Sequence, residues 1–305
     1  MDRNKKRKEN EMNEILSEYS GVTQVIQYLM YLRDIRVGKE LPSPISTGFW
    51  DLNYYLNGGL HPGQLITVGA RPSVGKTAFA VSLIRNMLEE NKKILFFSLE
   101  MSAQDIIRRL LAGITDISLR KINNGKLLSE SEYNDVVSAA EYLDHTTFYI
   151  VDTPELSIET LEKIVWAVLA RERIDCILID SFNLIGCADS ETDRYKRISN
   201  VLGRLGCRDT SIVTMLQCPC DRKQREPSLA DVPHDMYPLV NESDVVLFLH
   251  RPRFATELDP YDDYGDAIAR SGQTVKVIIE KNINGETGML SIRFNGFTTS
   301  FERMP

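Results

Sequence analysis

The sequence predicts an α/β fold, in which a mostly parallel twisted sheet is flanked by helices and ends in antiparallel edge strands. Short runs rich in Val, Ile and Leu alternate with longer segments whose apolar residues recur at helical spacing. Nearly continuous apolar strands separated by helices indicate a parallel sheet that is covered on both faces. The last strand-like runs follow one another without a helical segment between them, which predicts the antiparallel edge.

The elements of this fold can be assigned in chain order. The predicted strands are QLITVGA, KILFFSLE, TFYIVDT, CILIDSF, SIVTMLQ, DVVLFLH, TVKVIIEK and GMLSIRFN. The predicted helices cover residues 76–90, 102–114, 129–143, 158–171 and 193–205. Gly203 and Gly206 weaken the last of these helices by roughly 1 kcal/mol each relative to alanine.

The chain of 305 residues divides by composition into two parts. Residues 1–45 contain the charged run NKKRKE, typical of a solvated tail, then an amphipathic helix over residues 22–35 and a proline-containing linker. Residues 46–305 have the continuous pattern of one large domain. We therefore expect a tail, helix and linker followed by a single α/β domain.

Composition narrows the class of protein. No apolar run is long enough to cross a membrane, and the charged N-terminus lacks the apolar segment of a secretory signal. The five cysteines show no CxxC pair, which argues against a disulfide framework or a zinc site and favours a cytoplasmic protein. The net charge of −7 argues against a broadly basic surface that coats nucleic acid, although a local basic channel is compatible with it.

A phosphate-binding pattern lies between the first predicted strand and the first predicted helix. The segment ARPSVGKT matches GxxxxGK[ST], with Ala70 in place of the first glycine. In such a loop the backbone N–H groups point at an anion, Lys76 reaches the β- and γ-phosphates, and the Thr77 hydroxyl binds Mg²⁺. An ordinary strand–turn–helix junction is the alternative. The predicted nucleotide-contacting residues are Ala70, Arg71, Pro72, Ser73, Val74, Gly75, Lys76, Thr77 and Ala78.

Two further carboxylates end apolar strands. Asp180 ends CILID, where a Walker B aspartate would hold Mg²⁺ through water, with a turn-capping role as the alternative. Glu100 ends FFSLE and is a candidate base that polarises water, with a capping role near Ser102 as the alternative. Because parallel α/β sheets bind ligands at the carboxyl ends of their strands, both residues are expected at one site.

Several motifs together resemble the C-terminal motor domain of the DnaB-type hexameric replicative helicases. They are GGLHPG, ARPSVGKT, SLEMS, YIVDTP and ILIDSFNLI, and the similarity covers about residues 46–301. The resemblance implies a RecA-like P-loop ATPase that uses ATP and Mg²⁺ and acts on single-stranded or forked DNA. It also implies a homo-oligomer, a hexamer in the family, with a helicase loader or primase as partner.

The resemblance also assigns roles to individual residues. Lys76 and Thr77 serve the phosphates and Mg²⁺, Glu100 is the catalytic base, and Asp180 is the Walker B acid. Two more catalytic residues follow in other strands. They are Gln217, which matches a strand-end glutamine that senses the γ-phosphate, and Lys281, which matches a lysine that enters the neighbouring subunit's ATP site.

Parts of the sequence depart from the family pattern. The family has an arginine two residues after the matched lysine, where this chain has Ile283, and Arg251, Arg253, Arg270 or Arg293 are the candidates to replace it. After Gln217 the family continues Leu-Asn-Arg, and this chain reads CPC. The DNA-contacting loop of the family has an Arg-Glu-Ser-Gly core, in place of which this chain has residues 233–236, Pro-His-Asp-Met. The family's motor usually follows a helical N-terminal domain of well over a hundred residues, and we expect that domain to be absent, because only about 45 residues precede the motor in this sequence.

Three hypotheses follow from these observations. The first is an ATP-driven, ring-forming DNA helicase motor, supported by the complete phosphate loop and the strand-end residues. The second is a helicase-like paralogue that binds ATP, hydrolyses it weakly and acts by regulation or partner binding, supported by Ile283 and the altered DNA loop. The third is a RecA-like recombinase or clock-type ATPase, which agrees with the fold but does not account for the SLEMS motif.

Overall fold

The computed structural model describes residues 43–187, 191–206, 210–219, 225–251 and 273–304, together with seven isolated positions between 25 and 37. The chain forms two compact units, Met1–Ser43 and Pro44–Pro305. In the first unit, residues 25, 26, 29, 30, 33 and 36 are helical, whereas the charged run NKKRKE lies outside the described residues.

The strands of the second unit form one sheet in the order β3-β2-β4-β5-β1-β6-β7-β8-β9. In chain order, the strands are β1 (Leu65–Ala70), β2 (Ile94–Ser98), β3 (Phe148–Val151), β4 (Cys176–Asp180), β5 (Ser211–Gln217), β6 (Val245–His250), β7 (Gln273–Asn282), β8 (Gly288–Asn295) and β9 (Ser300–Glu302). The first six strands run parallel, and β7, β8 and β9 add antiparallel pairings. The predicted fold class, including its antiparallel edge, is confirmed.

Along the described domain, one α-helix precedes β1 and the others lie between strands. In chain order they are α1 (Trp50–Tyr55), α2 (Lys76–Glu89), α3 (Ala103–Thr115), α4 (Leu119–Asn123), α5 (Glu130–Asp144), α6 (Ile158–Leu169), α7 (Glu191–Leu205) and α8 (Tyr237–Glu242). The sequence patterns predicted α2, α3, α5, α6 and α7 to within a few residues. The short helices α1, α4 and α8 and the three-residue strand β9 were not predicted, because each is too short to show a periodicity.

One expectation about α7 is wrong. Gly203 lies inside this helix, but Gly206 lies just beyond its last residue, and the Gly206 N–H donates to the Leu202 carbonyl at 3.1 Å. Gly206 therefore lies outside the helix and does not weaken its interior.

The core consists of two apolar layers, one on each face of the sheet. Alternate residues of β1 enter opposite layers, with Ile66 and Val68 in one and Leu65 in the other. The first layer includes residues of α1, α2 and α3, and the second includes residues of α6, α7 and α8. Each fully buried Leu, Ile or Phe contributes about 1.5–3 kcal/mol. This double burial explains why the parallel strands are apolar at almost every position.

The cysteines of the described chain contribute to this core. Cys176 and Cys218 are buried free thiols, and burial raises the pKa of the Cys218 thiol to about 12, which makes it a poor nucleophile. Cys207 and Cys220 lie outside the described residues. Within the described ranges, no helix combines the length and apolar composition needed to span a membrane.

Candidate nucleotide-binding site

The phosphate-loop sequence connects the central strand β1 to the first turn of α2. Ala70 is the last residue of β1, and Gly75 is the N-cap of α2 with a left-handed φ of 112°. A Cβ atom at Gly75 would be strained at this φ and would lie 3.3 Å from the Phe301 ring, so the position requires glycine. The first N–H groups of α2 have no intrahelical partner and carry the positive end of the helix dipole, so this turn can bind an anion.

The two candidate carboxylates are brought together by the pairing of β2 with β4. Ser98 is the register partner of Asp180, and the Leu99 N–H donates to the Asp180 carbonyl at 2.6 Å. The chain that follows β2 is therefore held beside the end of β4. This pairing places Glu100 near Asp180, although 80 residues of sequence separate them.

Lys76 and Thr77 connect these carboxylates to the phosphate loop. Lys76 Nζ donates to Glu100 Oε1 at 2.9 Å and to Asp180 Oδ1 at 3.4 Å. Thr77 Oγ1 donates to Asp180 Oδ2 at 2.5 Å. The four side chains predicted to carry phosphate, metal and water chemistry are therefore in direct contact.

Burial decides the electrostatics of this group. The Lys76 side chain is 5% exposed and that of Asp180 is 1% exposed. Loss of hydration raises the pKa of Asp180, and the nearby Lys76 ammonium and Thr77 hydroxyl oppose this rise without cancelling it. Lys76 and Thr77 therefore do not fully replace the hydration that the Asp180 carboxylate has lost. A cation bound beside this carboxylate would stabilise its charged form.

The hydroxyl of Thr77 and the carboxylate of Asp180 form an oxygen donor pair suited to Mg²⁺. Mg²⁺ binds through one or two protein oxygens while its remaining positions are filled by water and substrate phosphates. The 2.5 Å contact between these two groups places both donors at the foot of the phosphate loop. The residues present therefore fit a magnesium–nucleotide site.

A cleft of about 360 Å³ opens above these residues. It is lined by Arg71, Pro72, Ser73, Gly75, Lys76, Thr77, Ala78, Glu100, Met101, Arg109, Gln217, Arg251, Phe294 and Thr299. Among the predicted contact residues, Ala70 and Val74 are buried and do not line the cleft. Asp180, whose carboxylate accepts from the Thr77 hydroxyl, does not line it either. Gln217 reaches the cleft from the end of β5, and its N–H donates to Asn183 Oδ1 at 2.8 Å.

Lys281 is not brought to this cleft. It lies on β7, and its Nζ donates to the carbonyls of Val240 and Asn241 at 3.0 Å each. Ile283 follows the end of β7 and is 58% exposed. Of the candidates to replace the arginine, Arg293 is paired with Glu302, and Arg253 and Arg270 lie outside the described residues.

Arg109, Arg251 and Phe294 are among the cleft residues to which the sequence assigned no role in nucleotide binding. Arg251 Nη2 donates to the Ser73 carbonyl at 2.6 Å, and its guanidinium lies 4.6 Å from the centre of the Phe294 ring. Burial lowers the pKa of Arg109, while Asp105 and Asp180 oppose this change. Arg251 directly follows an apolar strand. Because α/β sheets bind ligands at the carboxyl ends of their strands, its position in the sequence could have identified it. Arg109 lies within α3 and has no such signal.

The segment that leads into residues 233–236 is attached to the phosphate loop. Arg71 forms an ion pair with Asp231 at 3.6 Å, and both side chains are about nine-tenths buried. Arg225 also binds Asp231 through both of its terminal nitrogens. Residues His234–Met236 follow as a short 3₁₀ helix. The nucleotide cleft and this segment are therefore physically connected through Arg71.

The strand order and the loop between β1 and α2 define a P-loop ATPase fold of the RecA-like class. More narrowly, the chain belongs to the family of the DnaB-like helicase C terminal domain, whose model matches residues 44–303.

Individual relatives agree with this assignment. The chain is 31% identical over 262 residues to the replicative DNA helicase DnaB of Treponema pallidum, covering 84% of this chain and 55% of the relative. It is 29% identical over 263 residues to the replicative DNA helicase DnaC of Bacillus subtilis, covering 82% and 54%. The chain thus spans about half the length of the curated relatives that it matches.

Solved structures share the fold. One of them, described as an ATPase domain, superposes with a TM-score of 0.76 at 24% identity, covering 94% of this chain and all of that domain. A DnaB-like replicative helicase, described together with its interactions with primase, superposes with a TM-score of 0.74 at 22% identity, covering 91% of this chain and 66% of that chain.

Proposed function

We propose that this chain is the ATP-dependent motor of a replicative DNA helicase of the DnaB-like class. The observation that carries the proposal is the direct contact of Lys76, Thr77, Glu100 and Asp180 at the start of α2. Phosphate, metal and water each need a different chemical group, and these four residues supply all three kinds. Membership of the DnaB-like family supports the same activity.

In this proposal the phosphate loop binds ATP. Backbone N–H groups from the loop and the first turn of α2 receive the phosphates, and Lys76 contributes the charge beside them. Arg251 and Phe294, which stack at the rim of the same cleft, provide a flat surface for the remainder of the nucleotide. Thr77 and Asp180 would hold Mg²⁺, which would supply Lewis-acid polarisation of the phosphate oxygens.

The hydrolytic step is assigned to Glu100. Its carboxylate accepts a proton from the attacking water, while Lys76 stabilises the charge that develops on the transferred phosphoryl group. Glu100 Oε1 accepts a hydrogen bond from Lys76 Nζ at 2.9 Å, and this pairing keeps the carboxylate inside the cleft. Gln217 reports the state of the γ-phosphate from the end of β5.

The proposed partners are single-stranded DNA, further copies of the chain in a ring, and a helicase loader or primase, in the cytoplasm. Lys281 acts in this proposal on the ATP site of a neighbouring copy. These assignments rest on the family and on the connection of Arg71 to the segment after β5. That segment would transmit the nucleotide state to bound DNA.

A second function is favoured by one specific observation. Ile283, exposed two residues after Lys281, presents an apolar side chain where the family has an arginine. A missing arginine finger lowers phosphoryl-transfer rates by about 10³-fold or more. The alternative is therefore a helicase-like protein that binds ATP, hydrolyses it weakly and has a regulatory or partner-binding role.

The test is the steady-state ATPase rate with and without single-stranded DNA, measured beside the molecular mass in solution. A rate that rises with DNA, from a species larger than a monomer, supports the motor. A slow rate that DNA leaves unchanged, with intact ATP binding, supports the alternative. A protein that binds no ATP excludes both.

A further inference from the structure

The hydroxyl of Ser181 lies beside the carboxylate that is proposed as the catalytic base. Ser181 directly follows the last residue of β4 and is 1% exposed. Its Oγ donates to Glu100 Oε1 at 2.9 Å, and Lys76 Nζ donates to the same oxygen at the same distance. One charged donor and one neutral donor therefore hold a single carboxylate oxygen. Neither the motifs nor the family assignment gives Ser181 a role.

The backbone fixes where Ser181 stands relative to Glu100. The pairing of Ser98 with Asp180 is extended by the hydrogen bond from the Leu99 N–H to the Asp180 carbonyl. The sheet therefore places Leu99 and Ser181, which directly follow β2 and β4, and Glu100 is the next residue after Leu99. A serine side chain has one rotatable bond to its oxygen, so a buried Ser181 offers its hydroxyl from a nearly fixed point.

Glu100 needs such a restraint because it is the least buried member of the group. Its side chain is 30% exposed, whereas Lys76 and Asp180 are almost completely buried. A glutamate has three rotatable bonds, and at this exposure its carboxylate can turn toward solvent. A catalytic group must be held within about 0.5 Å of its productive position, so free rotation would lower turnover.

The restraint from Lys76 is shared with the substrate. The single ammonium of Lys76 serves both carboxylates now, and in the proposed function it also serves the phosphates. As it moves toward a nucleotide, its bond to Glu100 weakens. The bond from Ser181 does not depend on the nucleotide in this scheme, because the Ser181 hydroxyl is bonded to Glu100 and has no proposed contact with the phosphates.

We infer that Ser181 is a positioning residue, which holds the Glu100 carboxylate in place when Lys76 is engaged by the substrate. The inference rests on the proposed function, since it concerns the same hydrolytic step. Ser181 itself contacts neither phosphate nor water in this scheme. Its effect on the rate passes entirely through Glu100.

The first measurement is turnover in the Ser181→Ala variant. We expect kcat to fall about tenfold, below the roughly hundredfold cost that a 1 Å misplacement of a reacting group can reach. ATP affinity, measured by calorimetry, should stay within twofold, because no proposed nucleotide contact is removed. The Ser199→Ala variant is the matched control, since Ser199 is equally buried and its hydroxyl bonds within α7 to the Tyr195 carbonyl at 2.7 Å.

The second measurement separates positioning from general destabilisation. If Ser181 acts through Glu100, then adding Ser181→Ala to Glu100→Gln should lower kcat no further than Glu100→Gln alone. A merely structural role would lower the rate by a similar factor in both backgrounds. Ser181→Thr, which keeps the hydroxyl, should retain most of the wild-type rate. If Ser181→Ala melts early, Ser181→Cys, which keeps the size and a weak donor, replaces it.

The possible outcomes separate a failure of the Ser181 inference from a failure of the proposed function on which it rests. A wild-type protein without turnover overturns the proposed function, and the inference with it. If Glu100→Gln lowers kcat but Ser181→Ala keeps the wild-type rate, the inference is overturned and the proposed function stands. An equal loss from Ser181→Ala in both backgrounds also overturns it and leaves Glu100 as the base.

Discussion

The carboxyl ends of the parallel strands and the β7–β8 hairpin differ in the contacts that their charged side chains make. At the strand ends, Lys76 contacts both Glu100 and Asp180 within 3.4 Å, and the group is largely buried. On the hairpin, Lys281 is bound to two backbone carbonyls, and Ile283 faces solvent at 58% exposure. In the first region charged and hydroxyl side chains contact one another within a single chain, whereas in the second Lys281 contacts backbone carbonyls and Ile283 is apolar.

The backbone of the hairpin is nevertheless well anchored. Asn282 Nδ2 donates to the Tyr55 carbonyl at 2.9 Å, and the Tyr55 ring leaves no room for a Cβ atom at Gly288. Packing against α1 therefore fixes this hairpin independently of its charged residues. The difference between the two regions lies in side-chain chemistry and not in architecture, so substitutions can test it directly.

The comparison fails if the nucleotide site does not depend on Lys76. We expect Lys76→Ala to abolish ATP binding and turnover, because it removes the ammonium that contacts both carboxylates. Calorimetric titration with ATP measures the loss. Lys121→Ala is the control, since Lys121 forms an ion pair of 2.6 Å with Glu132 elsewhere. Wild-type affinity in Lys76→Ala would show that the loop is an ordinary strand–helix junction.

The chemistry assigned to the strand ends is tested by Glu100→Gln. The amide keeps the size of the side chain but cannot accept a proton, so kcat should fall about 100-fold or more. ATP affinity should remain close to that of the wild type. The Asp152→Asn variant is a control at another loop acid, whose carboxylate accepts from the Ala103 N–H at 2.9 Å. An unchanged rate in Glu100→Gln would reduce Glu100 to a structural residue.

The comparison can be sharpened by placing an arginine at position 283 of the β7–β8 hairpin. We expect the wild type to hydrolyse ATP slowly and to gain little from assembly, because a lysine lacks the forked geometry of arginine. Ile283→Arg should raise the rate about tenfold, a fraction of the roughly 10³-fold that a complete finger provides. The increase should grow with protein concentration, since the side chain acts on a neighbouring copy.

The matched control for that variant is Met289→Arg, which adds the same charge at an exposed position on the adjacent strand. An equal increase from both variants would indicate a general effect of positive charge. A wild-type rate that already climbs steeply with concentration would show that a competent finger is present, and the contrast between the regions would disappear.

The smallest expected effect concerns the cost of burying Asp180. Because burial raises its pKa above the ordinary 3.8, the folded protein retains a proton there that the unfolded chain has lost. The contribution of Asp180 to stability is therefore complete below 3.8 and declines as pH rises through the folded-state pKa. Asp180→Asn should raise the Tm by a few degrees near neutral pH, given that about 1 kcal/mol shifts Tm by roughly 2–4 °C in domains of this size.

The measurement is the Tm difference between Asp180→Asn and the wild type across pH, without nucleotide. The difference should widen as pH rises above the ordinary aspartate value and then level off. Asp175→Asn, outside the cleft, serves as the control. A variant that is less stable at every pH would show that the Lys76–Asp180 attraction outweighs the lost hydration.

Some features could be predicted from sequence because their signals are local. The apolar runs that became β1, β4 and β6 and the period of α2 follow from residues close in the chain. The GKT pattern similarly located Gly75 and Lys76 at a helix start, since a left-handed residue before a helix favours glycine. Short elements such as α8 and β9 lack this local signal, because contacts with distant residues hold them in place.

The sequence by itself therefore determined the fold class, the family and the identity of the phosphate loop. Only the tertiary structure decided which distant residues meet. The β2–β4 register brings Ser181 to Glu100, β6 and β8 bring Arg251 to Phe294, and the segment after β5 brings Asp231 to Arg71. Periodicity and turn chemistry act over a few residues, whereas these contacts depend on strand order and register across the sheet, which no local pattern specifies.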